Sequence, residues 1–232
     1  MELSPDDIVF AEWNGLRLTG TLVYTWVVMG LLAVGSWVGT RTLTTGPDLS
    51  RWQNFLEVVV GTIQDQIREA SRHDPLPYLP FIGTLFLFIA GSTVLDVVPG
   101  IRAPTASLTT TAALAACVFV AVPVYGVARQ GARAYLRHYI QPTPFMLPFN
   151  IIGELSRTVA LAVRLFGNIM SGSLIAGILL SLAPLFFPVV MQAFGLLIGL
   201  IQAYVFAILA LVYIASGVRM QESSRGTPST EA

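Results

Sequence analysis

The sequence predicts an all-α membrane protein with five membrane-embedded helices, one amphipathic surface helix, and a final pair of helices forming a long, strongly tilted hairpin. Three observations carry that expectation. Hydrophobic residues make up 54% of the 232-residue chain and charged residues only 11%, against the ~25% charged share usual in soluble domains. Five apolar runs approach or exceed the ~20 residues that a straight helical span needs. Between the first two runs, apolar and polar residues are mixed with helical periodicity instead of being segregated along the chain.

The N-terminal stretch MELSPDDIVFAEWNG is acidic and polar, the opposite of a signal peptide's basic start. The first apolar run covers about Leu22 to Val38. The next segment, PDLSRWQNFLEVVVGTIQDQIREAS, is of a different kind. Trp52, Phe55, Leu56, Val59, Val60, Ile63 and Ile67 recur at i, i+3, i+4 spacing, and Arg51, Gln53, Asn54, Glu57, Gln64, Asp65 and Arg68 fill the other face. Asp48 or Ser50 can cap its start. Nearly equal numbers of polar and apolar residues over about 48–72 make a poor span and a good surface-lying helix. The alternative is a helix docked on a partner's soluble domain.

The second span runs from Tyr78 to Val98 and ends at Pro99-Gly100, and the third covers about Thr110 to Val127. The fourth extends from Pro148 to Leu182 and the fifth from Pro188 to Val218, joined by the short SLAPLFFP turn. These last two are too long. About 35 and 31 residues make roughly 52 and 46 Å of helix, against a hydrocarbon core near 30 Å. The surplus residues are apolar, so steep tilt over about 148–218 absorbs the excess better than projection into water. Residues 1–219 thus read as a single membrane domain, and the polar 220–232 as a disordered tail.

Basic residues alternate by loop. Arg17 stands alone among N-terminal acids, and Arg41, Arg51, Arg68 and Arg72 crowd the next loop. Only Arg102 follows the second span, whereas Arg129, Arg133 and Arg137 follow the third, and Arg219 and Arg225 the fifth. This bias places the N-terminus outside and the C-terminus in the cytoplasm, as an odd number of spans requires.

Arg164 is the only side chain charged at pH 7 between Thr158 and Val218. An arginine near the middle of a lipid-soluble helix costs about 2.5–3.5 kcal/mol on insertion scales. It cannot neutralise by losing its proton, so either a partner satisfies it or its charge is used. Asn168 and Ser171 follow by four and seven residues and share its helical face, and Arg157 extends that stripe the other way. Glu154, three residues before Arg157, reads equally as its ion-pair partner or as a channel residue. Gln202 is the one strongly polar side chain for more than a turn in either direction of the fifth span. A buried amide needs a partner, and Arg164 or Asn168 across the hairpin can supply one. Gly195, Gly199 and Ala203 make a small-residue row that favours close helix packing. Asp96, near the outer end of the second span, is either hydrated at the interface or part of an aqueous vestibule.

Several function classes are excluded. Zero net charge gives no electrostatic case for nucleic acid binding. The single Cys117 rules out an internal disulfide framework. His73 and His138 lie in separate loops without Cys or Asp at metal-ligand spacing. No glycine-rich phosphate loop, nucleophile elbow or inverted repeat is present, so no stably bound cofactor is expected. An intramembrane hydrolase lacks its nucleophile and base, while a free-standing ion channel or secondary transporter remains the alternative to a subunit of a larger ion-coupled machine.

The stretch LSRTVALAVRLFGNIMSG resembles the signature of the a subunit of rotary F-type ATP synthases, whose RLFGN core surrounds an essential arginine. LDVVP in the second span, PFN at the start of the fourth and QAYVF in the fifth have counterparts in the same order, so the resemblance covers essentially the full chain. It implies a non-catalytic stator subunit with two ion half-channels, facing a c-ring and held by b-type peripheral stalk subunits. It implies that Arg164 faces the ring carboxylates, with Asn168 and Gln202 beside it. Glu154 resembles the acidic residue of the cytoplasmic half-channel, though its spacing to Arg164 is about four residues shorter than in some relatives. Asp96 resembles the acidic residue of the outer half-channel. Proton-moving relatives commonly carry a Glu/His pair where Ser173 and Gly195 stand here. Neither residue relays a proton, whereas Na⁺ needs only oxygen ligands and water, and the chain is similar to the sodium-coupled N-type branch. A water-filled proton path is the other reading, so the transported ion stands as Na⁺ or H⁺.

Overall fold

The computed structural model describes residues 9–13, 16–41, 51–71, 76–98, 101–131, 146–182 and 187–219. Six α-helices account for nearly all of them: α1 Gly20–Arg41, α2 Arg51–Ser71, α3 Leu79–Leu95, α4 Leu108–Gln130, α5 Met146–Leu182 and α6 Phe187–Arg219. Four of these, α1, α4, α5 and α6, are long and apolar enough to cross a membrane. The fifth apolar helix, α3, has 17 residues, about 26 Å of rise. It is shorter than the Tyr78–Val98 span expected, because the chain leaves the helix at Asp96.

One element departs from the all-helical expectation. Strands β1 (Val9–Trp13) and β2 (Leu16–Thr19) form a small antiparallel ladder ahead of α1, with Glu12 opposite Arg17 and Trp13 opposite Leu16. Asn14 and Gly15 link them. In a sequence, an Asn-Gly pair between short apolar stretches is the strongest local hairpin signal. The expected cap at Asp48 or Ser50, the loop residues Arg72, Arg133 and Arg137, both histidines and the tail from Met220 lie outside the described residues.

The remaining boundaries follow local chemistry. Pro80 occupies the first turn of α3, where a missing N–H costs nothing. Ser107 caps α4 by accepting the Thr109 N–H at 3.2 Å. Gly131 ends that helix with φ 84°, and its N–H reaches the Val127 carbonyl at 2.8 Å. Such a left-handed backbone favours glycine.

Helices α3, α4, α5 and α6 share one core. Tyr78 and Ile89, Val118, Leu161 and Leu165, and Phe206 and Leu211 are all buried within it. Helix α1 rests on α3 through Val28 and Leu32, whose side chains lie against Gly91. Helix α2, the most amphipathic of the set, packs on α6 and α3. Because lipid is as apolar as leucine, contact between spans depends on close packing more than on hydrophobic transfer. Gly199, Ala203, Ala207 and Ala210 supply that closeness on α6. The small-residue row is thus buried from Gly199 onward, while Gly195 is exposed.

Candidate functional site

Helix α5 has two unlike faces. Leu161 and Leu165 are wholly buried and lock one face into the core, leaving Val163 and Arg164 exposed on the other. Arg157 is exposed as well. Its guanidinium lies 5.9 Å from the centre of the Tyr213 ring on α6, within cation–π range. Tyr213 was not singled out by the sequence, where one aromatic among many apolar residues gives no sign of which cation it meets. Glu154 is half-buried, and its carbonyl accepts the Thr158 hydroxyl at 3.0 Å.

Asn168 stands one turn beyond Arg164, at the edge between the exposed and packed faces. Its Nδ2 donates to Oε1 of Gln202 on α6 at 3.2 Å. Of the two partners the sequence allowed for Gln202, the asparagine makes the bond. Gln202 is only 6% exposed, and its Nε2 has no hydrogen-bond partner. A buried amide donor without an acceptor calls for water, an ion-bearing group or another chain. A polar seam therefore crosses the α5/α6 contact one turn from the exposed arginine.

Beyond that seam lies a cavity of about 170 Å³ between α3, α5 and α6, roomy enough for several waters. Thr93, Asp96, Asn168, Ser171, Ser173 and Gly195 are among its lining residues. Of the seven candidate ion-path residues, Asp96, Asn168, Ser171 and Ser173 therefore share one cavity, while Glu154, Arg164 and Gln202 do not line it. Asp96 also caps the end of α3, and its Oδ1 accepts the Ala103 N–H at 2.9 Å, pinning the α3–α4 connection. Asp96 therefore fixes a loop, which neither sequence reading anticipated, and it also lines a cavity.

The hydroxyls around this cavity have their protons committed. Ser171 donates to the Asn168 carbonyl at 3.0 Å, Ser173 to Met170 at 2.9 Å, and Thr93 to Ile89 at 2.9 Å. A hydroxyl whose hydrogen is occupied offers its remaining lone pairs. Such a wall can coordinate a cation or order water, but it has no titratable group to relay a proton apart from Asp96. Among the described residues no cluster of three or more His, Cys, Asp or Glu could hold a resident metal.

The sequence pattern of the family described as ATP synthase A chain matches residues 22–215. The chain belongs to this ATP synthase family. It is 59% identical to "ATP synthase subunit a 2" of Acaryochloris marina over 229 residues, covering 99% of this chain and 98% of that one. It is 58% identical to "ATP synthase subunit a 1" of Crocosphaera subtropica, covering 97% and 98%. "ATP synthase subunit a" of Albidiferax ferrireducens is also 58% identical, over 94% of this chain and 95% of its own. Membership makes the chain a membrane subunit of the F0 sector, concerned with ion transport in ATP synthesis and not with nucleotide chemistry. The long apolar helices agree with that assignment.

Proposed function

We propose that the chain is the stator of a rotary ATPase. In this reading it provides two ion half-channels and presents Arg164 to the carboxylates of a rotating c-ring. The observation that carries it is the placement of Arg164: an unalterable charge on the exposed face of a long apolar helix, one turn from the Asn168–Gln202 seam. A ring carboxylate neutralised by a cation can face lipid at low cost, whereas its ionised form cannot. A fixed guanidinium attracts the ionised form and displaces its cation. It also opposes direct passage of a cation between the half-channels, so ion flow requires the ring to turn. The free Gln202 amide adds a donor near the same carboxylate.

The cavity at Asp96 serves as the outer half-channel, and Glu154 marks the cytoplasmic one. Five helices embed in a bacterial inner membrane with the N-terminus outside, α5 and α6 tilt along the ring, and α2 lies on the cytoplasmic surface beside b-type stalk subunits. The coupling ion is Na⁺, supported by hydroxyl oxygens whose protons point back into their own helices and by Ser173 and Gly195 where a relay would stand.

The test uses the complete complex in vesicles. ATP hydrolysis is expected to be stimulated by Na⁺, with Na⁺ uptake. Sodium is expected to protect the ring carboxylate from carbodiimide, less so at lower pH, where protons compete for the same oxygens. Labelling indifferent to Na⁺, with uptake needing protons alone, would show a proton machine. Ion conduction by the isolated chain would instead favour a free-standing channel.

A further inference from the structure

A second cavity, of about 300 Å³, lies away from the Asp96 chamber, between α2, α3 and α6. Its walls are Val58, Val59 and Ile63 of α2, Ile82 and Phe86 of α3, and Ile208 of α6, among others. Polar atoms are few and engaged. The Thr62 hydroxyl donates to the Val58 carbonyl at 2.7 Å, and the Tyr204 hydroxyl donates to Gln66 Oε1 at 2.5 Å. Buried water needs two to four polar partners, and apolar cavities of even half this size stay dry and take apolar guests. Water is a poor occupant.

The rim shows where a guest comes from. Val58 is 59% exposed and Tyr204 44%, so the cavity is open and not sealed. Tyr204 and Ile208 belong to an α6 stripe that continues at i±4 to the exposed Leu200 and Val212. This stripe falls inside the window Val189–Ser216, which is long and apolar enough to cross a membrane. On α3 the stripe through Ile82 and Phe86 continues to exposed Val94. The cavity is therefore continuous with the apolar surface that α3 and α6 turn outward, beneath the apolar face of α2.

We propose that it holds one acyl chain of a bilayer phospholipid, wedged between α2 and the two spans. The Gln66–Tyr204 hydrogen bond closes one side of this slot and ties α2 to α6. The bound chain fills the space that α2, α3 and α6 leave between them. This site is independent of the ion path, which shares none of its lining residues.

The complete complex is reconstituted in phosphatidylcholine and phosphatidylglycerol vesicles containing a phosphatidylcholine with a mid-chain diazirine. Illumination and peptide mapping are expected to place adducts on Val59, Ile63 and Ile208. Val59→Trp or, separately, Ile63→Phe fills the space and is expected to lower the Ile208 adduct about fivefold, while Val212 stays within about twofold. Adducts at Val212 without any at Ile63 or Ile208 would mean that protein fills the slot and would overturn the proposal. So would rapid reaction of an Ile63→Cys, Cys117→Ser complex with a water-soluble maleimide, which would show a wet cavity. The wild-type map and the thiol assay decide the matter even if neither filled variant assembles.

Discussion

Helices α5 and α6 are alike in sequence and unlike in place. Both are long, apolar and joined in series, yet α6 buries 39% of its apolar window within the subunit and α5 only 17%. The difference follows from side-chain size. The Gly199, Ala203, Ala207 and Ala210 row lets α6 lie close against its neighbours, whereas α5 engages the core mainly through Leu161 and Leu165 and keeps bulky groups such as Val159, Val163 and Ile175 outward. α6 is packed as a strut, and α5 leaves free the face that the proposed function uses. Substitutions on α5 should therefore change transport with little effect on stability, and those on the buried face of α6 should do the reverse.

The largest expected effect is on α5. Arg164→Ala should reduce ATP-driven ion uptake to background while subunit content stays near wild type, because an exposed charge supports no packing and its removal relieves an insertion cost. Arg164→Lys should rescue poorly, since lysine lacks the planar fork and can deprotonate when the ring covers it. Uptake in vesicles of verified composition measures both, and near-normal pumping by the Ala variant would erase the contrast.

On α6 the sharpest test is Gly199→Ala. A Cβ at Gly199 would run into the Thr93 side chain on α3. The variant should lose about 1–3 kcal/mol of stability from overpacking, partly offset by the ~1 kcal/mol that alanine gains over glycine in a helix. Thr93→Ala in the same chain should restore most of the loss. Thermal melts of the single and double variants settle the point; equal stability of Gly199→Ala and wild type would show that the two helices need not approach so closely.

The seam between the helices should behave as both. A double-mutant cycle with Asn168→Leu and Gln202→Leu should give a coupling of about 0.5–1.5 kcal/mol in stability. Transport should fall further than that figure alone explains, because in this account Asn168 lines the ion path and Gln202 offers a donor to the ring carboxylate. Additive losses in stability would mean the bond contributes nothing.

The smallest effects belong to the cavity hydroxyls. Ser171→Ala and Ser173→Ala should leave melting unchanged, since each hydroxyl only bonds its own helix. They should raise the Na⁺ concentration for half-maximal ATPase stimulation by about two- to fivefold, as expected for one oxygen ligand among several. No shift in either variant would remove these oxygens from the ion path.

How much was legible beforehand divides along a physical line. Apolar run length revealed the long helices, including an α5 and α6 of 37 and 33 residues, because cost of exposure is a property of each segment alone. Periodicity exposed α2 for the same reason. The isolation of Arg164 and the face it shares with Asn168 were also local. Contacts between helices were only partly readable: Gln202 needed a partner, but whether it met Arg164 or Asn168 depended on the rotation of α6 about its axis. That rotation brings Gly199 against Thr93, a long-range fit with no periodic signal. The Arg157–Tyr213 contact and the Asp96 bond to Ala103 were hidden likewise. The β1–β2 pair was hidden for another reason: the Asn14-Gly15 signal was present, and the weight of the apolar runs obscured it.

The central claim is that Arg164 makes ion flow conditional on rotation. The direct measurement compares passive and ATP-driven ion flux in the same vesicles carrying wild-type or Arg164→Ala complex, with the ATPase head removed for the passive arm. The account predicts that the Ala variant loses driven uptake yet still passes ions down a gradient, because the electrostatic barrier between the half-channels has gone. Driven uptake that persists in the Ala variant, with passive flux unchanged from wild type, would contradict it.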